Sequence, residues 1–153
     1  MAVSRDRPYG QFNFRVKIDT DQGTTATAGF QEVSGLGTEV HIAEYRAGNW
    51  SDNSPIKVNG STKFPDLTLK RGVIGEVAFL HGWLKAVREG GNDSSVLKPV
   101  VVELLAEDRV TVVQTWTLTN CRPMKYTGPS LTGKGTDVAI EELVLACEHI
   151  EVT

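Results

Sequence analysis

Three histidines, two cysteines and a pair of adjacent glutamates are the groups in this 153-residue chain most able to do chemistry. His41, His81 and His149 are isolated: none has a His or Cys two residues along a strand or four along a helix, the spacing a metal site needs. All three read as surface groups, His41 on a solvent-filled or subunit-facing surface. A serine nucleophile of the GxSxG kind is absent. Ser34, before Gly35, and Ser130 fall in turn-like stretches, where serine caps or bonds backbone. Glu141 and Glu142 are neighbours, and adjacent strand residues point to opposite faces, so the pair cannot act together as acid and base. Each is expected to be a solvated or interface carboxylate. Gly72 to Gly75 precede a helical pattern, but no GKS/T follows, and Lys70-Arg71 come too early for a phosphate-binding loop. That basic pair reads as salt-bridge partners. No catalytic residue, cofactor or metal is expected, and the chain is not read as an enzyme.

The totals point the same way. Lys+Arg 16 against Asp+Glu 19 gives −3 and an isoelectric point near 5.6, which argues against a basic footprint for gripping phosphate backbones. No run approaches the roughly 18 apolar residues of a membrane span, and residues 1–8 lack the apolar core of a secretory signal. The expectation is a single domain, residues 1–153, kept in the cytosol, with no membrane partner. Cys121 and Cys147 fit a reducing compartment as packed thiols; a disulfide within or between subunits is the alternative.

The elements follow from periodicity. Residues 11–19 alternate, with Phe12, Phe14, Val16 and Ile18 on one face and Gln11, Asn13, Arg15, Lys17 and Asp19 on the other, a half-buried strand. A turn at 21–23 and an extended Thr/Ala-rich stretch at 24–33 should pair back on it. Gly35 and Gly37 supply a reversal, and 38–46 form another strand. Residues 47–63 show little periodicity, and loops this long are functional or disordered. Trp50, Ile56 and Val58 give this loop something to bury. Two readings stand: an excursion whose aromatic tucks onto its own domain, or an arm ordered against a neighbouring subunit. After an extended 64–71, Val77, Leu80, Leu84 and Val87 mark an amphipathic helix with Trp83 beside them and Gly90-Gly91 as its stop. Gly82, mid-helix, suggests a close packing contact. Two strands follow over 100–105 and 110–119, the second with Val110, Val112, Trp116 and Leu118 on its apolar face. Its reverse face is Thr111, Val113, Thr115, Thr117 and Thr119, uncharged. A turn-rich crossing is expected at 120–135, and a closing strand at 137–149 with a bulge at Glu141-Glu142. The fold class is mainly β (α+β): two packed antiparallel sheets or a distorted β-barrel, with one outer helix.

The order of short motifs resembles the phage tail-tube family. It runs from aromatics at 9–14 through AGFQEVSGL at 28–36, EYRAGN at 44–49 and LTLKRG at 67–72. Trp83 on the helix, NCRP at 120–123 and AIEELVL at 139–145 complete it. The resemblance implies hexameric rings stacked helically into the inner tube of a contractile tail or injection particle, a virion or particle component assembled in the bacterial cytoplasm. Each subunit would lend two hairpins, near 24–46 and 100–121, to a barrel around the lumen. Implied partners are other copies in a homo-hexamer, a sheath protein, baseplate and tail-terminator proteins, and a tape-measure protein or cargo in the lumen. DNA would transit without specific binding, since inward-facing acid repels it within a Debye length of roughly 10 Å at 0.1 M salt. On this reading Asn49, Trp50, Ser51, Asp52, Ile56, Lys57 and Val58 form an inter-ring stacking loop. Thr111, Thr115, Thr117 and Thr119 face the lumen, and Glu76, His81, Lys85 and Arg88 face the sheath. The competing class is a monomeric small-ligand-binding β-barrel, which needs an apolar interior cavity. A cupin-like enzyme fails because its metal site needs several histidines in one place.

Overall fold

Alternation places Val16 and Ile18 on the inner face of β1 (Phe14–Asp19), and both are fully buried. The computed structural model describes residues 6–19, 25–73 and 78–153. After β1 come β2 (Thr25–Ala28), β3 (Glu32–Ser34), β4 (Glu39–Tyr45), β5 (Ile56–Lys63) and β6 (Leu67–Gly72). Helix α1 (Ala78–Gly90) and a 3-10 turn (Ser94–Val96) lead to β7 (Lys98–Leu105), β8 (Val112–Thr127), β9 (Ile140–Ala146) and β10 (His149–Val152). All strand pairs are antiparallel.

One sheet runs β2-β1-β7-β8, with β10 on the other side of β8; the second runs β8-β9-β6-β3. Strand β8 serves both because it is long and kinked. Asn120 sits at φ 53, and the register slips between the pairs Val100–Leu118 and Lys98–Cys121. An extra residue at this point turns the strand from the first sheet into the second. The inner faces meet in one core of Val16, Ile18, Val100, Val102, Leu118 and Ile150 against Leu67, Leu69, Leu143 and Leu145. Leu80 and Trp83 of α1 close it on the helix side, and Trp83 Nε1 donates to the Val96 carbonyl at 2.6 Å.

Several expectations change. The sheets pack but do not close into a barrel. Phe12 precedes β1 in a turn and is exposed, so the strand starts three residues later than its alternation suggests. Residues 56–63, read as loop, are β5 and pair with β4. No hairpin spans 24–46, because β2 pairs β1, β3 pairs β6 and β4 pairs β5. Residues 120–127 continue β8 and are not a crossing loop. The final stretch is two strands, β9 and β10. Glu141 and Glu142 pair in unbroken register with Arg71 and Lys70; the irregularity lies opposite, between Pro123 and Lys125 of β8. Nothing packs where a side chain at Gly82 would point. Val110 is exposed in the turn before β8. The turn at 21–23, Val77 and Glu76 lie outside the described residues.

The tightest glycine position among the described residues is Gly35. Gly35 has φ +92, and a Cβ there would sit 2.1 Å from the Asp66 carbonyl oxygen. The chain passes against its own backbone at that point, where β3 gives way to β4. Gly35→Ala is expected to cost about 2 kcal/mol or more, from left-handed strain with a backbone clash added. Chemical denaturation of the variant checks it: a loss under roughly 0.5 kcal/mol would mean that the close approach relaxes freely.

Candidate assembly interface

Strands β4 and β5 form a two-stranded sheet of their own, and every residue of both is exposed. Register places Val40 and Ile42 on one face, and Ala43 and Tyr45 with Val58 and Ile56 on the other. Both faces therefore carry large apolar side chains in water, Tyr45 at 59% and Val58 at 52% exposure. A lone hairpin is marginally stable in water, so this arm has a local clamp. Arg46 donates through Nε to the Asp52 carbonyl (3.0 Å) and through Nη2 to both Trp50 O (3.1 Å) and Asn53 Oδ1 (3.2 Å). Trp50 lies edge-on to Tyr45, ring centroids 5.7 Å apart. The aromatic tucks onto its own hairpin and not onto the core. Asn49, Ser51, Asp52, Ile56, Lys57 and Val58 are all exposed on the arm, with Trp50 half-buried.

The outer face of the first sheet holds most of the threonine row. Thr115 and Thr117 oppose Glu103 and Val101 of β7, and Thr117 and Thr119 oppose Glu151 and His149 of β10. Thr111 is not with them. It lies in the β7–β8 turn, where Asp108 Oδ1 accepts from the backbone N–H of Val110 and Thr111, and Oδ2 from the Thr111 hydroxyl. Val113 leaves the row too, since the register slips between Leu104–Gln114 and Leu105–Val112. The row is uncharged along β8 alone; the face it shares is not. Glu103, 8% exposed, accepts from Arg15 Nε (2.7 Å) and Lys17 Nζ (3.0 Å) on β1. Burial raises the Glu103 pKa, but these bonds and the two positive charges outweigh it and hold the carboxyl below its ordinary value. Cross-strand charge patterns of this kind are invisible along one strand.

Helix α1 buries Leu80 and Trp83 and leaves His81, Lys85 and Arg88 exposed. Beneath it lies a polar cluster that the sequence did not reveal. The inward row of β6 and β9 runs Leu67–Leu145, Leu69–Leu143, then Arg71–Glu141. The ion pair occupies the next core position, with side chains 7% and 3% exposed. Arg71 Nε donates to Glu141 Oε1, and the Tyr126 hydroxyl donates to Oε2 at 2.7 Å. The His81 ring stands over Tyr126, centroids 4.8 Å apart. Glu141 is thus a carboxylate buried within its own subunit, against the solvated or interface role expected of it. Lys70–Glu32, at 3.9 Å, is an exposed pair, so both residues of the basic dipeptide find carboxylates. No group of three or more His, Cys, Asp or Glu side chains converges as metal ligands among the described residues. Likewise no described helix is long and apolar enough to cross a membrane.

A model of the T4-like virus tail tube protein gp19 family matches residues 10–151. The chain belongs to the tail-tube family. The resemblance to that family is borne out, and the chain is a structural tail-tube protein. No curated protein matches it. Among solved structures, a chain from the sheath–tube complex of the extracellular contractile injection system PVC in its extended state is 23% identical, with a TM-score of 0.81. The match covers 97% of this chain and 93% of that one. A chain from the anti-feeding prophage baseplate is 21% identical with TM-score 0.84, covering 97% of each. Hcp1 from Flavobacterium johnsoniae is more distant, at 13% identity and TM-score 0.53 over 92% of this chain and 94% of its own. These likenesses show a shared fold. The monomeric ligand barrel gains no support: the described strands form packed sheets that do not close into a barrel.

Proposed function

We propose that the chain is the repeating subunit of the inner tube, closing into hexameric rings that stack helically around a hollow conduit for DNA or protein cargo. The observation that carries this is the β4–β5 arm, a folded hairpin with apolar side chains on both faces and every residue of its two strands exposed. Such an arm is stabilised by a neighbour, and a head-to-tail contact of this kind stacks without closing. Two edges of the first sheet, β2 and β10, have a strand on one side only among the described residues. Pairing between copies along such edges makes a ring and removes the exposed borders.

In that ring the Thr115–Thr117–Thr119 face, with Arg15 and Lys17 balanced by Glu103 and by Glu151 opposite Thr117, turns to the lumen. Hydroxyls and internally paired charge give a wet wall with little to hold a passing polymer, so DNA transits without specific binding. The exposed side of α1, with His81, Lys85 and Arg88, turns outward to the sheath, and Glu76 belongs to the same proposal from sequence. Similar folds in particles described by their sheath, baseplate, cap and terminator support partners of those kinds here. A tape-measure protein or cargo fills the lumen before firing, and assembly takes place in the bacterial cytoplasm. No catalytic step is assigned to the chain.

Sedimentation and negative-stain microscopy over a hundredfold concentration range test this. Rings, then tubes, are expected as concentration rises. A stable monomer at the highest concentration, with no rings on the grid, refutes the proposal.

A further inference from the structure

Where β8 kinks between the sheets, it is fastened to the turn joining β9 and β10. The Glu148 N–H donates to the Thr119 carbonyl at 3.2 Å, and Asn120 Nδ2 donates to Glu148 Oε2 at 3.0 Å. These bonds bring together two side chains 26 positions apart, Cys121 and Cys147, with their sulfurs 2.7 Å from each other. Cys121 is fully buried and Cys147 half-buried, and both are free thiols. Convergence of the two side chains is the geometric condition that most cysteine pairs in a fold fail.

We propose that Cys121 and Cys147 are a redox-sensitive dithiol that closes to an intramolecular disulfide when the protein meets a small-molecule disulfide. Cys147, the reachable member, attacks one sulfur of the reagent as thiolate, forming a mixed disulfide and releasing one thiolate. Cys121 then gives up its proton to solvent and attacks Cys147 Sγ, which expels the second thiolate. The two protein thiols are oxidised by two electrons, and the reagent is reduced to two thiols. Cys121 is shut away from the reagent and Cys147 is not, so Cys147 attacks first and the order of attack is fixed. The bond ties the β8 kink to the β9–β10 turn and removes freedom from the unfolded chain. It needs only the folded subunit and stands apart from the tube reading.

The test incubates the full-length protein with oxidised glutathione, blocks residual thiols, and maps the peptides by mass spectrometry. The expected product is a single crosslink between the peptides holding Cys121 and Cys147, two hydrogens lighter than the reduced pair. The melting temperature should rise by about 5–10 °C against the reduced protein. In Cys147→Ser no crosslink and no rise should appear, whereas Cys121→Ser should stop at a glutathione adduct on Cys147. A wild-type protein that keeps both thiols, halts at that adduct, or forms only disulfides between subunits overturns the proposal.

Discussion

Glu141→Ala is expected to destabilise the subunit by about 3–5 kcal/mol, because it leaves Arg71 charged in the core without its carboxylate. For a domain of this size that is a fall in melting temperature on the order of 10 °C. The cause is position. Arg71 and Glu141 continue a row otherwise made of leucine pairs, and the two side chains are 7% and 3% exposed. Removing Glu141 takes this carboxylate from the buried guanidinium and also leaves the Tyr126 hydroxyl without its acceptor. The paired replacement Arg71→Met with Glu141→Leu should recover part of the loss, since it withdraws both charges together while the Tyr126 hydroxyl still lacks its acceptor. Thermal denaturation of the two single variants and the double variant checks this. A Glu141→Ala protein as stable as wild type would show that the pair is hydrated and contributes little.

The same group sets a pH window. Burial raises the Glu141 pKa, but the hydrogen bonds from Tyr126 and Arg71 and the nearby positive charges outweigh it, leaving it below the ordinary 4.5. Between those two values the unfolded chain binds more protons than the folded one, so stability rises with pH there. The contribution is complete above about pH 4.5 and is lost as pH falls through the lowered folded value. Glu103 shifts in the same direction and adds to the acid limb. Both carboxylates must be neutralised on the way to acid unfolding.

How much of this was legible in the sequence depended on whether a residue's partner lay on its own element. The β1 alternation of Val16 and Ile18, the helical spacing of Leu80 and Trp83, and the reversal at Gly35 are local, and each was readable. Strand β5 was not, because both its faces are exposed and its second half, Asn59-Gly60-Ser61-Thr62-Lys63, carries no apolar alternation for a core to imprint. The signal that was there is Ile56 and Val58, two apart, opposite Tyr45 and Ala43. The Arg71–Glu141 pair and the charge beside Thr115 depend on register between strands distant in sequence, which one chain alone does not display. Turn-forming composition hid the second half of β8: Asn120 and Pro123 do irregular work, but inside a strand that changes sheets.

Excising the arm should leave the subunit folded and stop tube growth. Its two ends meet at the domain surface, where a Cβ on Gly37 would lie 3.8 Å from Pro65, so a short Gly-Ser link can replace residues 39–63 without stretching the chain. None of the buried core residues belongs to the arm, and the melting temperature should move by less than about 3 °C. Assembly should fall away entirely at concentrations where the wild type forms long tubes. Finer variants separate the two faces, since Ile42→Asp charges one and Val58→Asp the other. Each is an exposed substitution expected to stay within about 0.5 kcal/mol of wild-type stability. If the arm is clasped between neighbours, either one alone should shorten or abolish tubes, because each buries a charge against an apolar partner. If only one of them does so, the arm lies flat on a single neighbour with its other face in water. Tubes of parental length from the excised protein, seen by negative stain, would remove the arm from the stacking contact altogether.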